Sequence, residues 1–198
     1  MDTIYLSFDI EADGPSPQLN NMLSIGICGT DHRGQIIVEW ERNIFPRYGK
    51  SCDPDTMLEF WSKNQDAWRY INKNRISASQ AMAELDQLIY DLSSRYNKII
   101  WLAWPAAFDW QWLNCYYQEA AQQQPGTFKS KIGHKATCMS SVWAHVTRNL
   151  SKGEETALWK QLSPEEQGNH TPLVDARVQA TRYFNLLKYI SPDHPVIT

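Results

Sequence analysis

The chain has 198 residues, the size of one ordinary domain, and its 42% hydrophobic and 21% charged residues are globular values that exclude a largely disordered protein. Nineteen Lys plus Arg against 22 Asp plus Glu leave a net charge of −3, which excludes a broad phosphate-tracking surface along a duplex and confines nucleic-acid contact to something short and local. No apolar run reaches the roughly 18 residues of a membrane span, Met1-Asp2 leads into a strand-like stretch rather than a signal peptide, and the four cysteines form no Cys-x-x-Cys pair, so a soluble, unexported, cytoplasmic domain over residues 1–198 with free buried thiols is expected.

From Thr3 to Glu11 apolar residues alternate, placing Ile4, Leu6, Phe8 and Ile10 on one strand face and Ser7, Asp9 and Glu11 on the other. Met22–Gly29 and Gln35–Ile44 read as two further strands joined by the polar turn Asp31-His32-Arg33-Gly34, an antiparallel meander. Met57–Ile71 carries Leu58, Trp61, Trp68 and Ile71 at helical spacing, with Ser62-Lys63-Asn64 as a candidate break. Ser77 opens a clearer helix, with Gln80 as its capping-box partner and Ala81, Leu85, Leu88 and Leu92 as its stripe. The continuous apolar run Lys98–Trp104, stopped by Pro105, predicts a strand buried on both faces, the best candidate for a central parallel strand. An aromatic-rich helix over Phe108–Ala121, a polar loop over Gln122–Lys135 and a helix over Ala136–Leu150 follow. Ser151–Asn169 holds charge, Gly and Pro and reads as mobile. Thr171-Pro172 then opens the last helix, with Leu173, Ala176, Ala180, Phe184 and Leu187 facing inward. Three leading strands, then helices around a parallel strand, make one α/β domain.

Asp9 and Glu11 leave the same strand face, where two carboxylates repel unless a cation lies between them. Taken alone, Asp-x-Glu also reads as a solvated strand end. Asp109 at the start of a helix is explained by the helix dipole, yet it also lies just past the carboxyl end of a strand, where open α/β sheets bind ligands. His170 and Asp175 read singly as a surface histidine and an ordinary helical aspartate. The nine tryptophans and nine tyrosines supply core and, where exposed, stacking surface.

In order, the stretches Phe8-Asp-Ile-Glu-Ala-Asp-Gly14, Trp104-Pro-Ala-Ala-Phe-Asp109 and His170-Thr-Pro-Leu-Val-Asp-Ala176 resemble the DEDDh branch of the DnaQ-like 3′–5′ exonucleases. The run Ile99–Trp112 and the segment Thr56-Met-Leu-Glu-Phe-Trp61 are most similar to a small exoribonuclease-like branch typified by a mycobacterial enzyme and related to the exonuclease A of T-even phages. Two positions depart from the common pattern: Ala12 stands where many members carry Thr, and Trp104-Pro105 where many carry His-Asn.

The resemblance implies an RNase H-like fold, a mixed central sheet with three leading antiparallel strands flanked by helices. It implies two Mg²⁺ or Mn²⁺ ions on Asp9, Glu11, Asp109 and Asp175, with His170 as general base for water. The implied reaction is hydrolysis from the 3′ end of single-stranded or 3′-overhanging nucleic acid, releasing nucleoside 5′-monophosphates, with RNA favoured over DNA. A homodimer is compatible with it. Phe60, Trp61, Phe108 and Trp110 are candidates for base stacking, each with a competing reading as core. Lys135, with Lys129, Lys131 and His134, forms the most basic short segment, a candidate phosphate contact or a solvated loop. The alternatives are a catalytically silent nucleic-acid-binding relative, which would be expected to lack one of the five residues, and a zinc-binding module, for which ligand spacing is lacking.

Overall fold

The computed structural model describes residues 3–190. Its layers follow from the two unlike faces of β1 (Thr3–Ala12). Ile4, Leu6, Phe8 and Ile10 enter the main hydrophobic core, whereas Asp9 leaves the strand toward α7 (Pro172–Ile190). β2 (Met22–Thr30), buried along its whole length, pairs antiparallel with both β1 and β3 (Ile36–Asn43). β4 (Lys98–Ala103) and the two-residue β5 (Thr137–Cys138) add parallel pairs, giving the mixed order β3-β2-β1-β4-β5.

The expected mixed α/β sheet with three leading antiparallel strands is thus present, but its middle strand is β1 rather than the Lys98–Trp104 run. β4 pairs outward only through Leu102 and Ala103, and its Lys98 end is exposed. The physical reason is the shortness of β5: among the described residues most of the outer edge of β4 has no strand beside it.

Helices cover both faces. α3 (Ala78–Ser93) and α4 (Ala106–Gln123) pack Leu85, Ile89, Trp112 and Tyr116 into the core beneath β1. On the other face α7 lays Ala176 and Ala180 against Cys28 and Phe184 edge-on against Tyr5. Gly26 makes this second layer fit, since a Cβ there would lie 2.2 Å from the Leu173 nitrogen. Glu41 on β3 accepts the Leu173 N–H at 3.2 Å, so the sheet itself satisfies an otherwise orphaned donor in the first turn of α7.

Elsewhere local chemistry explains the departures from expectation. The expected Met57–Ile71 helix is broken into a π-helical turn at Met57–Trp61 and α2 (Gln65–Ile71) after Ser62–Asn64, with the short α1 (Pro54–Thr56) leading into it. Ser62 and Asn64 side chains bond to the Leu58 and Phe60 carbonyls, competing with the helical ladder. Ser77 caps α3 as expected, but the Gln80 amide donates to Glu84 instead of reaching back. The helix expected over Ala136–Leu150 yields its first residues to β5 and becomes α5 (Met139–Thr147). The stretch read as mobile contains α6 (Lys152–Leu162), opened by a reciprocal Ser151–Glu154 capping box and buried through Leu158 and Leu162 against Trp143 and Leu186. Of the four free cysteines only Cys28 is buried. Among the described residues no helix is long and apolar enough to cross a membrane.

Gly26→Ala is expected to lower stability by about 1–3 kcal/mol, the cost of overpacking against backbone that has no room to step aside. Urea titration measures it, and an unchanged midpoint would contradict the close seating of α7.

Candidate active site

The parallel pairing of β1 with β4 ends at Ser7–Leu102, two residues short of Asp9. Beyond that point β1 has no strand partner on this side among the described residues, because Pro105 turns the chain into α4. Asp109, in the first turn of α4, fills the gap: its Oδ1 accepts the Ile10 N–H at 3.3 Å. Its Oδ2 is buried without a hydrogen-bond partner among the described residues. A backbone amide between the two β1 carboxylates therefore anchors the third, contributed by a different element.

Asp9 is held from α7, where the Gln179 side chain donates to its Oδ1 at 2.8 Å. Asp175, one helical turn earlier, is set by the chain that precedes the helix. Its Oδ1 accepts the Asn169 N–H at 2.9 Å, and a Cβ on Gly168 would stand 2.4 Å from that oxygen. Asn169 in turn accepts the Thr171 N–H at 3.0 Å. Between these bonds His170 adopts φ 60°, a left-handed backbone uncommon for a residue with a side chain. That turn directs the imidazole inward, with Nδ1 3.9 Å from Glu11 Oε1 and the ring edge-to-face with Phe60 at 4.7 Å between centroids. Ligating atoms of Glu11, His170 and Asp175 all lie within 4.8 Å of one another.

The electrostatics are those of crowded anions. Burial, followed by the neighbouring Asp109, Glu11 and Asp175 charges, holds the Asp9 carboxyl well above its ordinary range. Glu11 is raised by burial and then by Asp175 and Asp109. Burial pushes Asp109 up to about 7 against the opposing Ile10 bond, and raises Asp175 against the Asn169 N–H. Among the described residues no lysine or arginine forms an ion pair with any of the four. The donor set of buried carboxylate oxygens, one of them unpartnered, fits a hard divalent cation such as Mg²⁺ or Mn²⁺ and not a thiolate-seeking metal.

The structure brings Asp9, Glu11, Asp109, His170 and Asp175 to one end of β1 and separates the aromatic candidates. Phe60 stands beside His170. Trp61 is a correction: it is 1% exposed and its Nε1 donates to the Ala12 carbonyl at 3.0 Å, which makes it part of the floor and not a stacking surface. Phe108 is half-buried at the start of α4, packed on the main core with its ring 6.2 Å from that of Trp112. Trp110 packs on Phe8 and Trp101 and, with the exposed Lys135, lines a separate cleft. Lys129 is partly engaged, its N–H on Asp86 and its ammonium over Tyr90. The structure adds Gln179, which the sequence does not single out, and gives Gly168 and Asn169, expected only to let His170 vary in position, a part in holding Asp175. A signal for Gln179 exists, since it follows Asp175 by four residues and so shares its helical face.

These shifts have a consequence for the metal-free protein. Carboxyls whose folded pKa is raised favour the protonated native state, so their stabilising effect is complete below about pH 4 and is lost as pH rises through about 7, the value for Asp109. In EDTA the melting temperature is expected to fall between pH 5 and 8, and Asp109→Asn to flatten that decline. A variant curve as steep as the wild type would argue against the buried Asp109 carboxyl as a source of the decline.

The sequence model of the 3′–5′ exoribonuclease Rv2179c-like domain matches residues 5–187. The chain is 26% identical over 191 residues to the Escherichia coli 3′–5′ DNA exonuclease Cap18, covering 95% of this chain and 93% of that protein. Among solved structures it resembles S. pombe Pop2p in its Mg²⁺- and Mn²⁺-bound form, with TM-score 0.62, 16% identity, and 93% and 82% of the two chains covered. The nuclease domain of 3′hExo, a DEDDh family member bound to rAMP, gives TM-score 0.64 at 11% identity, covering 94% of this chain and 92% of that one. E. coli exonuclease I in complex with a dT13 oligonucleotide gives 0.66 at 14% identity, over 96% of this chain but 42% of that one. At these identities the structural likenesses establish the RNase H-like exonuclease fold.

Proposed function

The chain belongs to the Rv2179c-like 3′–5′ exoribonuclease domain family, and from that premise we propose that it is a divalent-metal-dependent 3′–5′ exonuclease, one catalytic domain acting on single-stranded or 3′-overhanging nucleic acid. The observation that carries the reading is the convergence of Glu11, His170 and Asp175 within 4.8 Å, beside the half-buried Asp9 and the buried Asp109.

Asp9, Glu11, Asp109 and Asp175 would hold two Mg²⁺ or Mn²⁺ ions, which supply Lewis-acid charge at the scissile phosphate and lower the pKa of water. The remaining work falls to the chain. His170 accepts a proton from the water that attacks the last phosphodiester. The bond from phosphorus to the 3′-oxygen of the penultimate nucleotide breaks, that oxygen takes up a proton, and the terminal nucleoside 5′-monophosphate departs. Phe60 braces the imidazole from one side, and the Asn169 and Gln179 bonds keep Asp175 and Asp9 from turning away.

RNA is the favoured substrate, supported by the family's description as exoribonuclease. DNA is the second reading, favoured by the naming of the E. coli relative as a DNA exonuclease. Matched 5′-labelled RNA and DNA oligonucleotides with Mg²⁺, Mn²⁺ or EDTA decide between them. A 3′-phosphate is expected to block degradation, and cutting of a circular substrate would defeat the exonuclease reading.

Asp9→Asn, Glu11→Gln, Asp109→Asn and Asp175→Asn are each expected to remove most turnover while the fold persists, because relief of repulsion offsets the missing ligand. Turnover assays paired with thermal melts in EDTA check this. His170→Ala should bind Mn²⁺ nearly as the wild type does yet lower kcat by about 10²–10⁴, the usual range for removing a positioned proton acceptor. Single-turnover rates at saturating Mn²⁺ test it, and a wild-type rate would remove His170 from the mechanism.

A further inference from the structure

A cleft of about 1070 Å³ opens between β4, α4 and residues 134–138, outside the carboxylate cluster. Its lining is unusual for this protein. Among the described residues no carboxylate contributes to it, although the chain carries 22 Asp plus Glu, and its exposed basic side chains are Lys98, Lys135 and the imidazole of His134. Trp110, half-buried against Phe8 and Trp101, forms part of the wall. Along the floor runs β4, whose Lys98–Trp101 stretch has no strand on its outer side among the described residues, β5 pairing only with Leu102 and Ala103.

The cleft also reaches the candidate active site. Cys138 and Ala106 both line it. Ala106 opens the same helical turn that carries Asp109. A cationic, aromatic-walled channel running to that turn has the chemistry of a single-strand track, where lysines follow phosphates and a ring packs against a base.

We propose that this cleft binds the single-stranded segment lying 5′ of the bond that is cut, its phosphates facing Lys98, His134 and Lys135 and a base packing on Trp110. The inference rests on the exonuclease reading and adds the route by which a long substrate is held. The bare edge of β4 is also a place where a peptide strand could add to the sheet. The clustering of cations with no carboxylate favours the polyanion.

The test is the double variant Lys98→Glu/Lys135→Glu, with both positions exposed and neither side chain in an ion pair among the described residues. Binding of a 5′-labelled 12-nucleotide single strand is followed by anisotropy in EDTA from 50 to 300 mM salt, alongside hydrolysis of the p-nitrophenyl ester of a nucleoside 5′-monophosphate, which is too short to enter the cleft. The slope of log Kd against log salt is expected to drop by about 0.7 for each lysine that no longer neutralises a phosphate, roughly 1.4 in all. Oligonucleotide KM should rise about tenfold or more with ester hydrolysis unchanged. If charge reversal lowers the melting temperature, the Lys98→Ala/Lys135→Ala pair replaces it with the same expected slope change. A wild-type slope and KM, with ester hydrolysis intact, would overturn the cleft alone and leave the β4 edge to a peptide. Failure of the wild-type protein to hydrolyse ester or oligonucleotide would strike the exonuclease reading, and the inference with it.

Discussion

Desolvation of the carboxylates gathered at the end of β1, sharpened for Asp9 and Glu11 by their neighbours' charge, is the constraint around which this molecule is arranged. Burying one such group unpaired is costly, and here Glu11 and Asp109 are buried around the end of one strand, with the half-buried Asp9 and Asp175 beside them. The rest of the fold must hold them against each other. It does so from three directions: the sheet fixes Asp9 and Glu11 by register, α4 supplies Asp109 on a bond to Ile10, and α7 is pressed onto β2 by the absence of a side chain at Gly26. Each anchor is backbone or a buried amide, elements that yield little. The metal-free protein is less stable for it, and the site is already shaped for a cation.

The many aromatic rings serve mainly to dock one element on another. Trp61 reaches across to the Ala12 carbonyl, tying the segment after β3 to the strand that carries the carboxylates. Trp104, Trp143 and Trp159 pack against one another, with the Arg182 guanidinium 3.7 Å from the Trp159 ring centroid, and this cluster fastens α5 and α6 to α7. The residues between α6 and the last helix therefore leave from a fixed point and need only span to His170.

Residue order makes the site more legible than the fold. The period-two spacing of Asp9 and Glu11, the halt imposed by Pro105 ahead of Asp109, and the Thr171-Pro172 helix start between His170 and Asp175 each carry local information that survives without tertiary context. What escapes depends on partners distant in sequence. Nothing near Trp61 shows that its indole will find the Ala12 carbonyl, and nothing near Gly26 shows that Leu173 will press against it. α6 is hard to see because its buried stripe reduces to Leu158 and Leu162, although the Ser151–Glu154 cap is written in the sequence. The Lys98–Trp104 run suggests too central a place because a strand sheltered by a helix and a loop has the same composition as one sheltered by two strands.

The Asp109–Ile10 bond has a dynamic meaning beyond its geometry. Ile10 lies within a sheet, yet the protection of its amide depends on the first turn of a helix and not on the ladder alone. Its hydrogen exchange will follow the opening of that turn, and its amide resonance will follow the charge on the carboxylate it donates to. A single main-chain position thus reports the electrostatic state of the whole cluster, readable by NMR without any substrate present.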